Sequence, residues 1–261
     1  MIRALWLYRG FILGSVKREF SVRYLGSTLG SLWSVIHPLV LILIYTLIFS
    51  ELMQARLPGI TDKLAYGIYL CAGVLPWTFF TEIITRSQTC FVENANLLKK
   101  ASLPRICFPA ILVGSAVLNF LVIFGVFLVF LIATGRFTGA VVLDCVPLLV
   151  IQTVLAIGIG IFTGTLNVFI RDVGQIVSVV LQFWFWLTPI VYPVRILPAA
   201  VRDLLYINPM LPIIEGYQGI FVRGEAPAWS TLTPVIALAA VALACAYLVF
   251  RKNAAELVDQ L

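Results

Sequence analysis

Between Phe108 and about Ala133 the chain carries no Asp, Glu, Lys, Arg or His. A helix needs about 20 apolar residues to cross the hydrocarbon core of a bilayer, and this run is long enough. Water is absent at that depth, so the backbone N–H and C=O groups must bond within the segment, and a single run can do this only as a helix. Similar runs extend from about Leu32 to Phe49, Leu64 to about Ile84, Val146 to about Ile170, Val173 to about Tyr192 and Thr231 to Phe250. The expected fold is an all-α integral membrane protein of six transmembrane helices, built as one transmembrane domain over residues 1–261. Composition excludes a soluble domain: 11% of residues are charged, where about a quarter is usual.

The net charge of +6 does not form a nucleic-acid face, because the basic residues stand mostly at the ends of apolar runs, where they fix topology. Arg3, Arg9, Lys17, Arg18, Arg23, Lys99, Lys100, Arg105, Arg171, Arg251 and Lys252 fall on one side of the alternating spans. Arg56, Lys63, Arg136, Arg195, Arg202 and Arg223 fall on the other. The richer side is read as the cytoplasm, so both termini are expected inside. Cys71, Cys90, Cys107, Cys145 and Cys245 are scattered singly with no CxxC pairing and read as small buried hydrophobes, with no metal site.

Met1 to Ser15 lacks the uninterrupted apolar core of a signal peptide because Arg9 divides it, so the N-terminus is expected to stay on the mature protein. Leu13, Val16, Phe20 and Tyr24 then recur at spacings of three and four. Ser15, Lys17, Arg18, Glu19, Ser21 and Arg23 fill the other face. Residues 1–30 thus contain an amphipathic helix, lying on the membrane surface or partly buried with a solvated side. His37, the one histidine, precedes Pro38 and reads as a bend with a satisfied imidazole. Pro76 is expected to interrupt the second span, near whose inner end Glu82 and Arg86 share a helical face. They pair there or face a water-filled passage.

Residues 93–107 form a polar, basic break between two spans. Asn94 or Asn96 is placed to cap a short helix through Leu103, ended by Pro104. Leu97, Leu98 and Leu103 would project from it beside Lys99, Lys100 and Arg105, a ridge suited to docking another protein. An ordinary topogenic loop explains the same residues. In the fourth span Gly160 and Gly164 make a small-residue face, and Arg171 with Asp172 marks an inner turn. Residues 193–230 are too apolar for water and too broken for a crossing, so two short interfacial or re-entrant helices are expected.

Val16-Lys17-Arg18-Glu19-Phe20-Ser21-Val22-Arg23-Tyr24, then Gly26-Ser27-x-Leu29-Gly30-x-x-Trp33 and His37-Pro38, resembles the start of permease subunits of bacterial polysaccharide-exporting ABC transporters. Four later pieces resemble the same family: Gly73-x-Leu75-Pro76-Trp77-x-Phe79-Phe80, Asn94-x-Asn96-Leu97-Leu98-Lys99-Lys100 with Pro104-Arg105, Asn167-Val168-x-x-Arg171-Asp172-Val173, and Asn208-Pro209-Met210. His37 departs from the pattern, in which many relatives have Asn. The resemblance implies export of an undecaprenyl-linked glycan such as O-antigen, capsule or teichoic-acid precursor across the inner membrane. It also implies a homodimer working with two separate ATPase subunits. No G-x-x-x-x-G-K-[ST] phosphate loop occurs, so Mg-ATP is expected on the partner, and no cofactor or catalytic residue is assigned to this chain. By similarity Asn94 to Arg105 is the coupling helix, Val16 to Tyr24 the interface helix, Arg171-Asp172 a cytoplasmic gate, and residues 193–222 the periplasmic gate.

A glycan conduit needs flat apolar faces for sugar C–H surfaces and polar tips for hydroxyls, which aromatic side chains supply. Trp77, Phe79, Phe80, Trp184, Trp186 and Tyr192 are the candidates. An interfacial belt or lipid-facing packing accounts for each equally well. A related type-two permease for a small hydrophobic drug or lipid would share the architecture. A membrane transferase acting on lipid-linked sugar is disfavoured by the lack of an Asp-x-Asp pair, and an ion-driven carrier by the near-isolation of Glu82.

Overall fold

A computed structural model describes residues 2–22, 32–48, 57, 62, 64–94 and 104–253. In chain order the helices are α1 (Ile2–Leu7), α2 (Arg9–Val22), α3 (Trp33–Thr46), α4 (Ala65–Glu93), α5 (Cys107–Ala133), α6 (Cys145–Phe169), α7 (Asp172–Leu187), α8 (Ala199–Leu205), α9 (Met210–Gln218) and α10 (Trp229–Asn253). Short 3-10 turns over Gly139–Asp144 and Val194–Ile196 and a π turn over Gly219–Arg223 join them, and no strand occurs among the described residues. Four segments are long and apolar enough to cross a bilayer: Ala65–Glu93, Cys107–Ala133, Gly139–Phe169 and Trp229–Asn253. Two further apolar helices, Trp33–Thr46 and Asp172–Leu187, are shorter. The chain is a multi-pass membrane protein.

The central strut is α4, which packs against α3, α5, α6, α7 and α9. The expected interruption at Pro76 does not occur: the helix runs unbroken from Ala65 to Glu93, well past Ile84. Proline removes one backbone donor, but neighbouring side chains in a membrane bundle can satisfy what it disturbs. The acceptor it frees is the Ala72 carbonyl one turn back; the Gln152 amide of α6 donates to the Pro76 carbonyl and ties α6 to α4 at this turn. The added turns carry Arg86 and Gln88 one to two turns inside the helix rather than at its end. The fifth run ends early instead, at Leu187 rather than about Tyr192, because Thr188 precedes Pro189 and takes an extended conformation.

Close helix approach is set by glycine. A Cβ on Gly158 would stand 2.8 Å from the Ala242 backbone of α10, and one on Gly160 would stand 2.7 Å from the Ser87 hydroxyl of α4. A Cβ on Gly164 would collide with the Ser87 carbonyl oxygen. The small-residue face legible at Gly160 and Gly164 therefore seats α6 on α4. Gly164→Val is expected to cost about 1–3 kcal/mol of stability through overpacking. A thermal melt of the purified protein in detergent would read this, and an unchanged midpoint would show that α4 and α6 move apart freely.

The N-terminal helix differs from its expected presentation. Val16 is buried against Gly114 of α5, but Ser15 is buried beside it and Glu19 also turns toward the bundle. The sequence pattern puts both on the solvated face. An arginine in α4 supplies the reason, because it gives Glu19 a partner that water does not. His37 lies exposed on α3, next to the buried Pro38.

Candidate functional site

The sequence places several polar groups inside apolar helices, and the structure collects them into three sites along α4. The first lies in the half toward Glu93. Arg86 pairs with Glu19 of α2, approaches Glu82 at 3.5 Å and donates to the Ser115 hydroxyl of α5 at 2.7 Å. Asn119 of α5 donates to the other oxygen of Glu82 at 3.0 Å. Burying a charge is costly unless it is paired and hydrogen-bonded, and here one guanidinium and two carboxylates from two helices, bonded by Ser115 and Asn119 of a third, meet that condition. The pairing of Glu82 with Arg86 was legible from their spacing; Glu19, Ser115 and Asn119 were not assigned to it. A cavity of about 560 Å³ opens beside this junction between α2, α4 and α5 and is lined by Arg18, Glu93 and Phe108.

One turn further on, Asn167 near the end of α6 donates to the Gln88 carbonyl at 2.8 Å and accepts from the Gly174 N–H at 2.8 Å. It straps α4 and the start of α7 to the α6–α7 turn. Arg171 and Asp172 occupy that turn and are both exposed. Asn94 stands at the end of α4, and the helix expected to follow it lies outside the described residues. The Asn94 amide donates back to the Cys90 carbonyl at 2.8 Å, so it closes the end of α4. Pro104 and Arg105 are half-buried in the turn before α5, while Lys17 and Arg18 are exposed on α2. Asn96, Leu97, Leu98, Lys99, Lys100, Leu103 and Arg23 lie outside the described residues.

The second site is a groove of about 430 Å³ between α4 and α7. Thr81 and Thr85 of α4 line one wall, Ser178 and Gln182 of α7 the other, and Trp77 and Trp186 bound it with their rings. The Thr81, Thr85 and Ser178 hydroxyls donate to backbone carbonyls one turn back, at 3.1, 2.6 and 3.0 Å. Their oxygens are left as acceptors along the groove, and Gln182 adds both a donor and an acceptor. Such a wall suits a ligand rich in hydroxyls with flat C–H faces. Its polar residues were missed in the sequence, although Thr81/Thr85 and Ser178/Gln182 each stand four apart, the spacing that puts two side chains on one helical face.

The six aromatic candidates separate. Phe79 and Phe80 are 2% and 0% exposed, so in this conformation they are core rather than wall. Phe79 faces α5, with its ring 4.8 Å from Phe120. Phe80 meets Trp184 edge-on at 5.5 Å, and Trp77 lies at 6.1 Å from the same indole. Trp186, by contrast, is 61% exposed. Tyr192 is half-buried and donates to the Trp186 carbonyl at 2.7 Å.

The third site closes the opposite end of α7. Asn208 accepts from Trp184 Nε1 at 2.7 Å and from the Met210 N–H at 2.9 Å, and its amide donates to Thr188 Oγ1 at 2.9 Å. Tyr66 of α4 donates to the Val191 carbonyl at 2.6 Å, and Tyr69 to the Tyr192 carbonyl at 3.0 Å. The irregular stretch after α7 is thus tied to α4 and α9. Asn208 also explains why an Asn-Pro-Met sequence belongs here: its side chain starts α9 and fastens α7 together.

Residues 12–222 match the model of the family described as ABC-2 type transporter. The O-antigen export system permease protein RfbA of Myxococcus xanthus is 31% identical over 264 residues, covering 100% of this chain and 99% of the relative. Two proteins of the same name from Klebsiella pneumoniae are 33% and 32% identical over 208 residues, covering 79% of this chain and 78% of each relative. The chain belongs to the ABC-2 type transporter family.

Proposed function

We propose that this chain is the permease subunit of an ATP-driven exporter that moves lipid-linked polysaccharide, of the O-antigen or capsule kind, across the bacterial inner membrane. The observation that carries the reading is similarity from end to end to a relative named for O-antigen export. The groove of hydroxyls, amide and indole between α4 and α7 supports it, because weak acceptors beside flat rings hold a sugar chain without stopping it. Two copies of the chain work with two ATP-binding subunits, which bind Mg-ATP.

Six crossings are part of this reading. At about 1.5 Å rise per residue, the 14 residues of α3 and the 16 residues of α7 reach about 21 and 24 Å. That is short of a hydrocarbon core of about 30 Å, so these two helices cross with their flanking segments or where the bilayer thins. Both termini then face the cytoplasm, α2 serves as the interface helix, residues 94–105 couple to the ATPase, and residues 193–222 gate the periplasmic exit.

Replacing the chain's gene by an empty allele is expected to abolish surface polysaccharide while lipid-linked glycan accumulates on the cytoplasmic side. An immunoblot for surface glycan reads the outcome, and surface glycan at parental levels would sink the assignment. Cysteine labelling in intact cells tests the topology: a probe at Arg223 should react and one at Lys252 should not.

A further inference from the structure

We propose that a groove on the cytoplasmic half of the bundle is a binding site for an anionic phospholipid, with an acyl chain between α5, α6 and α10 and its headgroup on Arg105, Arg251 and Lys252. The groove measures about 580 Å³ and is lined by apolar side chains, among them Pro109, Ile157, Ile161, Ala240, Ala244 and Tyr247. It arises from how the bundle divides. Helix α5 takes its close packing from α2, α3 and α4, whereas α10 packs on α6, so a seam is left between them. Gly158 draws α10 tightly to α6 at Ala242, while Ala240 and Ala244, one turn apart on an adjacent face, offer only methyl groups to the seam. Water would find few partners along such walls and would not fill them stably.

The mouth of the groove decides which lipid. Its cytoplasmic end is lined by Ile106 and Phe250, the residues next to Arg105 and Arg251. Arg251 also stands one turn beyond Tyr247, on the same stripe of α10, and Lys252 follows it. Arg86, Arg136 and Arg223 each hold a carboxylate, but among the described residues Arg105, Arg251 and Lys252 hold none. Three cations that hold no carboxylate among the described residues, above an apolar groove of inner-leaflet depth, match a phosphate-bearing headgroup with its chain below, as in basic pockets between membrane helices. A zwitterionic lipid would answer the groove but not the charge. The site goes beyond the proposed export reaction and depends on that reading only for the leaflet it faces.

Photolabelling tests this in the assembled permease–ATPase complex, reconstituted in nanodiscs of phosphatidylethanolamine. The probe is phosphatidylglycerol with a diazirine in its acyl chain, and a phosphatidylethanolamine probe is run in parallel. Peptides covering residues 106–109 and 240–250 should take the phosphatidylglycerol label preferentially. Arg251→Gln with Lys252→Gln should cut that label by about tenfold and leave the phosphatidylethanolamine label unchanged. Ala244→Trp keeps every charge and fills the groove, so it should remove both labels from these peptides. Equal labelling by the two probes, or a label that survives both variants, would show only annular lipid and overturn the site. If added undecaprenyl phosphate erases the label where added phosphatidylglycerol does not, the groove holds the exported substrate's tail and the proposal is wrong.

Discussion

Either Glu19→Arg or Arg86→Glu alone is expected to abolish most polysaccharide export, and the two together to restore it. Each single change sets like charges against each other where α2 meets α4 and also disturbs Glu82. The two partners are 26% and 35% exposed, between the surface pairs that contribute under about 1 kcal/mol and the buried pairs whose breaking costs about 3–5. A penalty of about 2 kcal/mol shifts the docking of α2 by about 30-fold. Reversal of both charges restores the attraction across helices but leaves the carboxylate introduced by Arg86→Glu facing Glu82, so rescue should be substantial rather than complete. Adding Glu82→Gln to the swap removes that repulsion and should raise export further. Surface glycan measured by immunoblot, with membrane levels of the permease measured alongside, checks each step. A swap no better than its singles would mean that Arg86 serves the inside of the bundle and that α2 is held by Val16 alone.

The helices themselves were legible because each apolar run had to satisfy its own backbone, and boundaries at Cys107, Ala133 and Phe169 fell within about two residues of the expected ones. The misses share a cause. Pro76 reads as a break in isolation, but the helix that carries it is packed on every side by helices distant in sequence and runs on to Glu93. Glu19 reads as solvated because nothing near it in sequence is its partner; Arg86 is. The same holds at the groove. Phe79 and Phe80 draw attention as aromatics in an apolar run, yet their neighbours Phe120 and Trp184 absorb them into the core. Thr81 and Thr85 read as ordinary helix residues until α7 brings Ser178 and Gln182 across from them. Side-chain type marks where a polar group is unusual; only the packing of distant helices decides what it faces.

Thr81→Val with Thr85→Val is expected to lower glycan export while leaving insertion and assembly with the ATPase intact. Valine nearly matches threonine in shape and replaces the hydroxyl by a methyl, so the groove keeps its width and loses two acceptors. A net hydrogen bond is worth about 0.5–1.5 kcal/mol, so losing two costs about 2 kcal/mol, a decrease of about 30-fold if both contact the moving chain at the limiting step. Trp186→Ala removes a flat exposed surface instead, and stacking of this kind contributes about 0.5–1.5 kcal/mol. The two changes act on different parts of the same sugar, polar rim and C–H face, so the triple variant should export less than either. One rival explanation is that Trp186 and its exposed neighbours Ile176, Val179, Phe183 and Leu187 on α7 pack on a second copy of the chain. Then Trp186→Ala would lower the fraction of dimer on cross-linking, whereas the threonine pair, which removes no bulk, would leave dimer and export alike unchanged. Reduced export by the threonine pair with the dimer intact assigns the groove to the glycan; full export by that pair removes it from the transport path.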